Sequence, residues 1–285
     1  YNLDSFYPIA RMAEKDGQIY AIVYGINPRV LMYNKVMFEK AGLNVPTNVE
    51  DFMKAIRTLR DPQKGQFGFA TMAASGAASS TYLEIMPIIV GFGGSFVKDG
   101  RANATAPETI AALQFIKDLY DEQLIPIGQD FLVYRDMLCA GKVASLTIGG
   151  FIYGTCEAKN PEVASQLSAA PLPFPGGGTI SVNTFWAIPR DAKDKDAAAR
   201  FLMKLLEDKW QRLVPEHTIA IPARPGMVSD TFLRENPWFQ ALVDVADKAV
   251  SYAPGGAEQY APCLLYTSDA ADDLLCVDLG GRRII

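Results

Sequence analysis

Histidine is nearly absent from this sequence, in which His217 is the only residue of that type among 285. A zinc site built on several imidazoles would need partners that the chain does not contain. A Ser-His-Asp or Cys-His mechanism would have to use His217, whose neighbours Glu216 and Thr218 show no catalytic-loop pattern. We therefore expect a surface or loop histidine and no imidazole-based catalysis.

Cysteine is scarce as well, and none of the four cysteines forms a C-x-x-C pair: Cys139, Cys156, Cys263 and Cys276. This spacing excludes a zinc ribbon and a thioredoxin-like motif. A disulfide between Cys139 and Cys156 and a pair of free thiols are both compatible with the sequence. The cysteines therefore do not indicate a redox compartment.

The chain has no excess of positive charge, because 27 Lys and Arg stand against 32 Asp and Glu, a net charge of −5. A protein that neutralises phosphates needs a basic surface, so we expect no nucleic-acid partner. No apolar run approaches the roughly 20 residues of a membrane-spanning helix. Neither G-x-x-x-x-G-K-[ST] nor G-x-G-x-x-G occurs, so we expect no nucleotide and no other cofactor.

The sequence does have the composition of an ordinary globular protein, with 49% hydrophobic and 21% charged residues. Short apolar segments alternate with segments of helical periodicity, which predicts an α/β fold. The predicted strands are residues 19–26, 30–33, 67–70, 143–148 and 179–189. The predicted helices are residues 34–41, 79–90, 130–140, 196–213 and 237–250, with two more opened by capping boxes at Thr47-x-x-Glu50 and Thr105-x-x-Glu108.

Catalytic patterns are weak. Ser95-x-x-Lys98 and Ser181-x-Asn183 match elements of penicillin-recognising serine enzymes. The third element, K-T-G, is absent, and residues 98–100 are typical of a hairpin turn, so we interpret both matches as chance. The paired carboxylates of a glycosidase can come from distant parts of a chain, so that alternative stays open.

Aromatic, amide and guanidinium side chains recur at predicted strand ends and loops. Sugars are recognised by aromatic rings that stack on their faces and by polar groups that bond their hydroxyls. Aromatic residues at such positions are also common in cores, so each of these is a candidate only. The candidates are Tyr24, Asn27, Arg29, Tyr82, Phe151, Tyr153, Phe185 and Trp186.

A series of short motifs runs in order through residues 1–262. They include residues 16–22 (DGQIYAI), 31–35 (LMYNK), 38–43 (FEKAGL), 141–144 (GKVA) and 197–202 (AAARFL). Taken in this order, the chain resembles the extracellular solute-binding proteins of bacterial ABC importers, in the sugar-binding family that includes maltose-binding protein.

The resemblance implies a two-lobe periplasmic-binding-protein fold (type II-like), in which hinged α/β lobes close on a ligand. It implies that residues 1–27 are a remnant of the N-terminal lobe. Residues 28–178 would be the C-terminal (inserted) lobe, and residues 179–262 the return to the first lobe. Relatives have a leader and a longer first lobe, so we expect an N-terminal truncation and an incomplete first lobe.

The resemblance also implies roles for single residues. Asn27, within the inter-lobe crossing of residues 23–30, takes a position that faces the sugar and is acidic in many relatives. Thr81 and Tyr82 lie at a helix start that contacts ligand. Where the family usually has a stacking Trp, after the glycine pair at 149–150, this chain has Phe151 and Tyr153.

By the same resemblance, the chain is a non-enzymatic receptor that captures a sugar or oligosaccharide and delivers it to the transmembrane subunits of an ABC permease. We expect a monomer in the periplasm or outside the cell, with a lipid anchor left open. The alternative is a carbohydrate-active enzyme with a bilobal cleft. Residues 263–285 resemble a translated sequencing adaptor and would then be a non-native tail; a short amphipathic helix is the other interpretation.

Overall fold

The computed structural model describes residues 4–71 and 78–251, which form a mixed α/β structure. The predicted tail, residues 263–285, lies outside the described residues. The strands are β1 Glu14–Lys15, β2 Gln18–Ile19, β3 Ile22–Gly25, β4 Val30–Asn34, β5 Val97–Lys98, β6 Arg101–Ala102, β7 Ser145–Ile148, β8 Leu167–Ala170, β9 Thr179–Ser181, β10 Thr184–Trp186 and β11 Ala249–Ser251. The helices are α1 Lys35–Lys40, α2 Val49–Leu59, α3 Ala78–Gly91, α4 Pro107–Asp121, α5 Phe131–Cys139, α6 Ile152–Lys159, α7 Pro161–Gln166, α8 Lys195–Leu205, α9 Asp208–Gln211, α10 Val214–Thr218, α11 Asp230–Glu235 and α12 Gln240–Val245. Short 3-10 turns occupy Pro8–Ala13, Pro62–Lys64, Pro237–Phe239 and Ala246–Lys248.

A three-stranded sheet in the order β7-β4-β8 forms the centre of the described structure, with β4 antiparallel to both neighbours. All five residues of β4 are buried, as its apolar sequence predicts for a central strand. Phe67 and Ala70 make parallel bridges to Val143 and Leu146, so the predicted strand at 67–70 lies along the β7 edge. The strand predictions at 30–33 and 143–148 are confirmed.

Two predicted strands are each divided in the structure. Residues 19–26 separate into β2, which pairs with β1, and β3, which pairs with β10. Residues 179–189 separate into β9, which runs parallel to β11, and β10, which runs antiparallel to β3. Each division falls where the backbone changes its hydrogen-bonding partner, and apolar periodicity carries no signal for such a change.

Both predicted capping boxes are wrong. Asn48, not Thr47, caps α2, and its side-chain oxygen accepts a hydrogen bond from the Asp51 amide at 2.9 Å. Ala106 occupies the cap position of α4 without a side-chain bond, and Pro107 starts the helix. Asn competes equally with Thr as an N-cap, and proline at the first position needs no donor.

The predicted helix at 196–213 is also wrong in its extent and in its buried face. It divides into α8 and α9, and none of the residues of α8 is buried. Phe201, placed by its spacing on the inward face, is 62% exposed.

Two extended segments run side by side between β3 and β4 and between β8 and β10. The Arg29 amide donates to the Ile180 carbonyl at 2.8 Å, and the Val182 amide donates to the Asn27 carbonyl at 3.1 Å. The Thr179 hydroxyl donates to the Arg29 carbonyl at 2.6 Å. We call residues 26–30 and 179–183 the paired crossing, because their backbones hold each other in register.

The last described helices pack on the central sheet. Phe239 and Leu242 are fully buried in one core cluster with Met32 of β4 and Leu167 of β8. Residues in the range 179–262, expected to return to the first lobe, therefore include a part that contacts the sheet of residues 28–178.

A disulfide joins α5 to α6. Cys139 and Cys156 are bonded, with their Cα atoms 4.7 Å apart. The sequence left this pairing open against free thiols. Both residues are buried in the core cluster that contains β4 and β7, so the bond lies inside the structure rather than on its surface.

We expect the double variant Cys139→Ser/Cys156→Ser to lose about 3 kcal/mol of unfolding free energy, because a bond across 17 residues restricts the unfolded chain. Urea unfolding followed by tryptophan fluorescence measures the difference, with Cys263 and Cys276 changed to Ser in every sample. Added reductant should destabilise the parent and leave the double variant unchanged. Equal urea midpoints for the oxidised parent and the double variant would contradict the prediction.

Candidate functional site

A cavity of about 390 Å3 lies beside the paired crossing. Its size falls within the roughly 300–1,000 Å3 that small-molecule sites usually have. The lining residues come from the crossing, from β3, β10, α3, α5 and α10, and from the turns that follow β7 and α10: Tyr24, Asn27, Arg29, Leu83, Arg135, Gly149, Phe151, Val182, Thr184, Thr218 and Ala220. Four of the nine residues proposed from sequence, Tyr24, Asn27, Arg29 and Phe151, are among them.

A larger depression of about 590 Å3 lies between α1, α2 and the turn at 60–66. It contains none of the residues proposed from sequence. Its charged groups belong to the surface, as in the exposed pair of Lys64 and Asp61, whose charged atoms lie 2.9 Å apart. We therefore take the smaller cavity beside the crossing as the candidate site.

Arg29 is the most unusual residue of this cavity, because its side chain is only 3% exposed yet carries a full charge. Its Nη2 lies 3.6 Å from Glu84 Oε1, which is an ionic contact but too long for a hydrogen bond. The Nε and Nη1 atoms of Arg29 are buried without a hydrogen-bond partner. A buried donor left unpaired is costly, so this guanidinium retains bonding capacity at the site.

The charges around Arg29 act on one another. Burial lowers the pKa of Arg29, and the charge of Glu84 opposes that change. Burial raises the pKa of the Glu84 carboxyl, against the opposing effect of Arg29 and Arg135. Burial lowers the pKa of Arg135 too, and the nearby charge of Arg29 lowers it further. The cluster is therefore two guanidiniums held close to one carboxyl.

Arg135 was not among the candidates from sequence. Its guanidinium carbon lies 4.2 Å from the centre of the Phe131 ring and 4.8 Å from that of Phe151, which are cation–π distances. Its place on α5 follows from helical spacing, because Arg135 lies three residues before the buried Leu138. An arginine on the buried face of a helix was the signal that could have identified it.

Tyr24 and Trp186 form a stacked pair on the neighbouring strands β3 and β10. Their ring centres are 4.5 Å apart with planes 29° from parallel. Tyr24 lines the cavity, whereas Trp186 supports Tyr24 and is not a lining residue. Phe185 is partly buried against the core and does not line the cavity either.

Tyr82 and Thr81 lie away from the cavity. Tyr82 is 2% exposed within an apolar core cluster, with its ring centre 6.1 Å from that of Phe96. Successive helical residues point about 100° apart, so Leu83 reaches the cavity where Tyr82 does not. The packing therefore argues against Tyr82 and Thr81 as ligand contacts.

The loop after β7 contributes Phe151 but not Tyr153. The Tyr153 ring stacks on Trp238, with ring centres 4.9 Å apart and planes 14° from parallel. Gly150 allows this close packing, because a Cβ there would lie 2.9 Å from Leu242 Cδ2 and 3.3 Å from the Ile219 carbonyl oxygen. Tyr153 is thus held by Trp238, and Phe151 remains the aromatic of this loop at the cavity.

A ligand-sized cavity beside paired crossing segments is typical of a solute-binding protein, and the sequence identifies the family. The family model for bacterial extracellular solute-binding proteins matches residues 1–246. The chain belongs to this family, as its motifs predicted. None of the helices within residues 4–71 and 78–251 has the length and hydropathy needed to cross a bilayer.

Similarity to individual proteins agrees with the family. The diacetylchitobiose binding protein DasA of Streptomyces coelicolor is 23% identical over 226 residues, which cover 75% of this chain and 52% of that protein. A solute-binding protein of Thermotoga lettingae, solved with α-D-tagatose, is 24% identical with a TM-score of 0.78, over 92% of this chain and 69% of that one. Maltose-bound MalE3 of T. maritima is 19% identical with a TM-score of 0.79, over 95% and 72%.

These structural neighbours show the fold, which is that of the two-lobe periplasmic sugar-binding proteins. The chain spans between 44% and 61% of the length of several curated relatives that it matches. The fold class predicted from the sequence is confirmed.

We expect the free energy of unfolding of the chain to depend on pH through the Glu84 carboxyl. Because its pKa is raised above 4.5 in the folded chain, the folded state holds the proton more tightly than the unfolded state. The stabilisation that comes from the protonated Glu84 carboxyl is therefore present at low pH and is lost as the pH rises through the folded-state pKa. Glu84→Gln imitates the protonated carboxyl and removes the dependence.

Urea unfolding of the parent and Glu84→Gln between pH 4 and pH 8 measures the effect. The stability of the parent should fall relative to the variant as the pH rises above 4.5. Parallel profiles for the two proteins would contradict a raised pKa. Glu216→Gln, at an exposed position away from the cavity, is the matched control.

Proposed function

We propose that this chain is the substrate-binding component of an ABC importer. It captures a sugar or oligosaccharide in the cavity beside the paired crossing and passes it to the transmembrane subunits of a permease. The observation that carries the proposal is the cavity itself, where Tyr24, Asn27, Arg29 and Phe151 converge from three parts of the fold. Ring faces together with amide and guanidinium donors are the groups that recognise a sugar.

The lining favours binding over catalysis. A glycosidase needs two carboxyl groups flanking the scissile bond. Within the described part of the chain, the lining residues include neither Asp nor Glu, and Glu84 lies behind Arg29. The family is one of binding proteins, which supports the same choice.

We further propose that residues 1–27 and most of 179–262 belong to one lobe and residues 28–178 to the other. The division expected from the sequence changes at one place, the segment around α12. The packing of Phe239 and Leu242 against β4 and β8 supports assigning the segment around α12 to the lobe of residues 28–178. The paired crossing would then be a hinge, because its two segments both pass between the lobes there.

The location that suits this function is the periplasm or the outer face of the membrane, free or lipid-anchored. The family description, extracellular solute binding, supports that assignment. A monomer is sufficient for the function, because all the lining groups come from a single chain.

We expect Tyr24→Ala and Asn27→Ala each to weaken sugar binding by about 1–3 kcal/mol, because each removes a contact at the cavity wall. Isothermal titration calorimetry against a panel of mono- and oligosaccharides first identifies a ligand and then measures both variants. Tyr20→Ala is the matched control, since Tyr20 is 60% exposed and lies outside the cavity. Unchanged affinity in both cavity variants would remove this cavity as the sugar site.

A further inference from the structure

The charged groups that line the cavity are both cationic, and from this we propose that the ligand is an acidic sugar, a uronic acid whose carboxylate is received by Arg29 and Arg135. The inference rests on the proposed function and narrows it to a substrate class. Arg29 and Arg135 both line the cavity, and no described lining residue is acidic. A neutral sugar would leave these two guanidiniums with Glu84 as the one carboxyl beside both of them among the described residues.

Arg29 is the first of the two arginines that would bind the carboxylate. Its side chain is 3% exposed, and two of its three nitrogens, Nε and Nη1, have no hydrogen-bond partner. Its third nitrogen, Nη2, lies 3.6 Å from Oε1 of Glu84, which is not a lining residue. The unpaired nitrogens of a buried guanidinium are strong donors for an oxyanion, and pairing them removes a large desolvation cost.

Arg135 is the second arginine that would bind the carboxylate. Its Nε is also buried without a hydrogen-bond partner. Its guanidinium carbon lies 4.2 Å from the centre of the Phe131 ring and 4.8 Å from that of Phe151, and both cation–π contacts restrict where the guanidinium can move. A planar guanidinium matches the two oxygens of a carboxylate, which makes arginine the usual residue for such recognition.

The charge balance points the same way. Arg29 and Arg135 carry two positive charges, and Glu84, whose Oε1 lies 3.6 Å from Arg29 Nη2, can offset only one of them. Asp130 also acts on Arg135, but it is exposed and its oxygen caps α5 by accepting from the Leu132 amide at 2.8 Å. One ligand carboxylate would offset the excess positive charge at the cavity.

The remaining lining groups suit the rest of a sugar ring. Phe151 and Tyr24 offer aromatic faces, and Asn27, Thr184 and Thr218 offer groups that bond hydroxyls. A uronic acid has both an apolar ring face and hydroxyls, besides its carboxylate. A small dicarboxylate or an amino acid would leave these aromatic faces unused.

The test compares disaccharides of the same linkage that differ only at C6 of each ring, which is a carboxylate in the uronide and a hydroxymethyl group in its neutral partner. Calorimetry on the full chain uses three matched pairs: digalacturonate and galactobiose, diglucuronate and cellobiose, and dimannuronate and mannobiose. We expect at least one uronide to bind about tenfold or more tightly than its neutral partner, which is the scale of a charge-assisted bond. Galactose 6-phosphate is included to separate a carboxylate site from a phosphate site.

Variants then identify the receiving groups. Arg135→Gln should lower the affinity for the bound uronide about tenfold or more and change the affinity for its neutral partner about threefold or less. Arg135→Lys keeps the charge but loses the planar fork, so an intermediate loss is expected, and it decides the matter if Arg135→Gln does not fold by circular dichroism. Arg190→Gln, at an exposed arginine outside the cavity, is the matched control.

The outcomes separate the two proposals. Neutral sugars that bind as tightly as their uronides would overturn the acidic-sugar inference and leave the sugar-receptor function standing. Tighter binding of the sugar phosphate than of any uronide would overturn the carboxylate assignment. A chain that binds no member of any pair, and no sugar of the wider panel, would overturn both proposals.

Discussion

The paired crossing is the constraint on which the rest of the site depends. Both backbone groups of Arg29 are bonded to the second crossing segment, its amide to Ile180 and its carbonyl to Thr179. The backbone of Arg29 therefore cannot shift without breaking the register of both segments. This places a charged side chain at a fixed point between β3 and β4, although apolar packing alone would exclude it from the interior.

A buried ionic cluster at this point is expensive for the fold. The 3.6 Å contact between Arg29 and Glu84 offsets only part of the cost of removing both groups from water. A buried donor without a partner requires an explanation, and in our proposal the partner of these donors is the ligand. Burial of Arg29 therefore costs stability, although it places unpaired donors at the cavity. The hydrogen bonds of the paired crossing hold its backbone in place despite that cost.

The sequence was sufficient for the family, through its ordered motifs, and for the class of fold and the central strands. The β4 segment is mostly apolar, and small and apolar residues alternate in the β7 segment. The sequence was insufficient where the structure depends on which strand or helix of the chain packs against a segment. Residues 179–189 divide because two different strands pair with the two halves. Tyr82 was expected at the ligand, but Leu83 lines the cavity instead, because a rotation of one residue about the helix axis decides which side chain reaches it. The place of Arg135 at the cavity could not be predicted, because it depends on which helix packs beside Arg29, and that is a property of tertiary packing.

The disulfide between Cys139 and Cys156 has a consequence for the ligand as well as for the fold. It links α5, which carries Arg135, to α6, which begins directly after Phe151, and so ties together the two elements that hold the cation and its aromatic support. A receptor whose contact groups are already immobile surrenders less conformational entropy on association. Under the proposed function, the covalent link would act as preorganisation, because entropy that is lost during folding is not lost again when the solute binds.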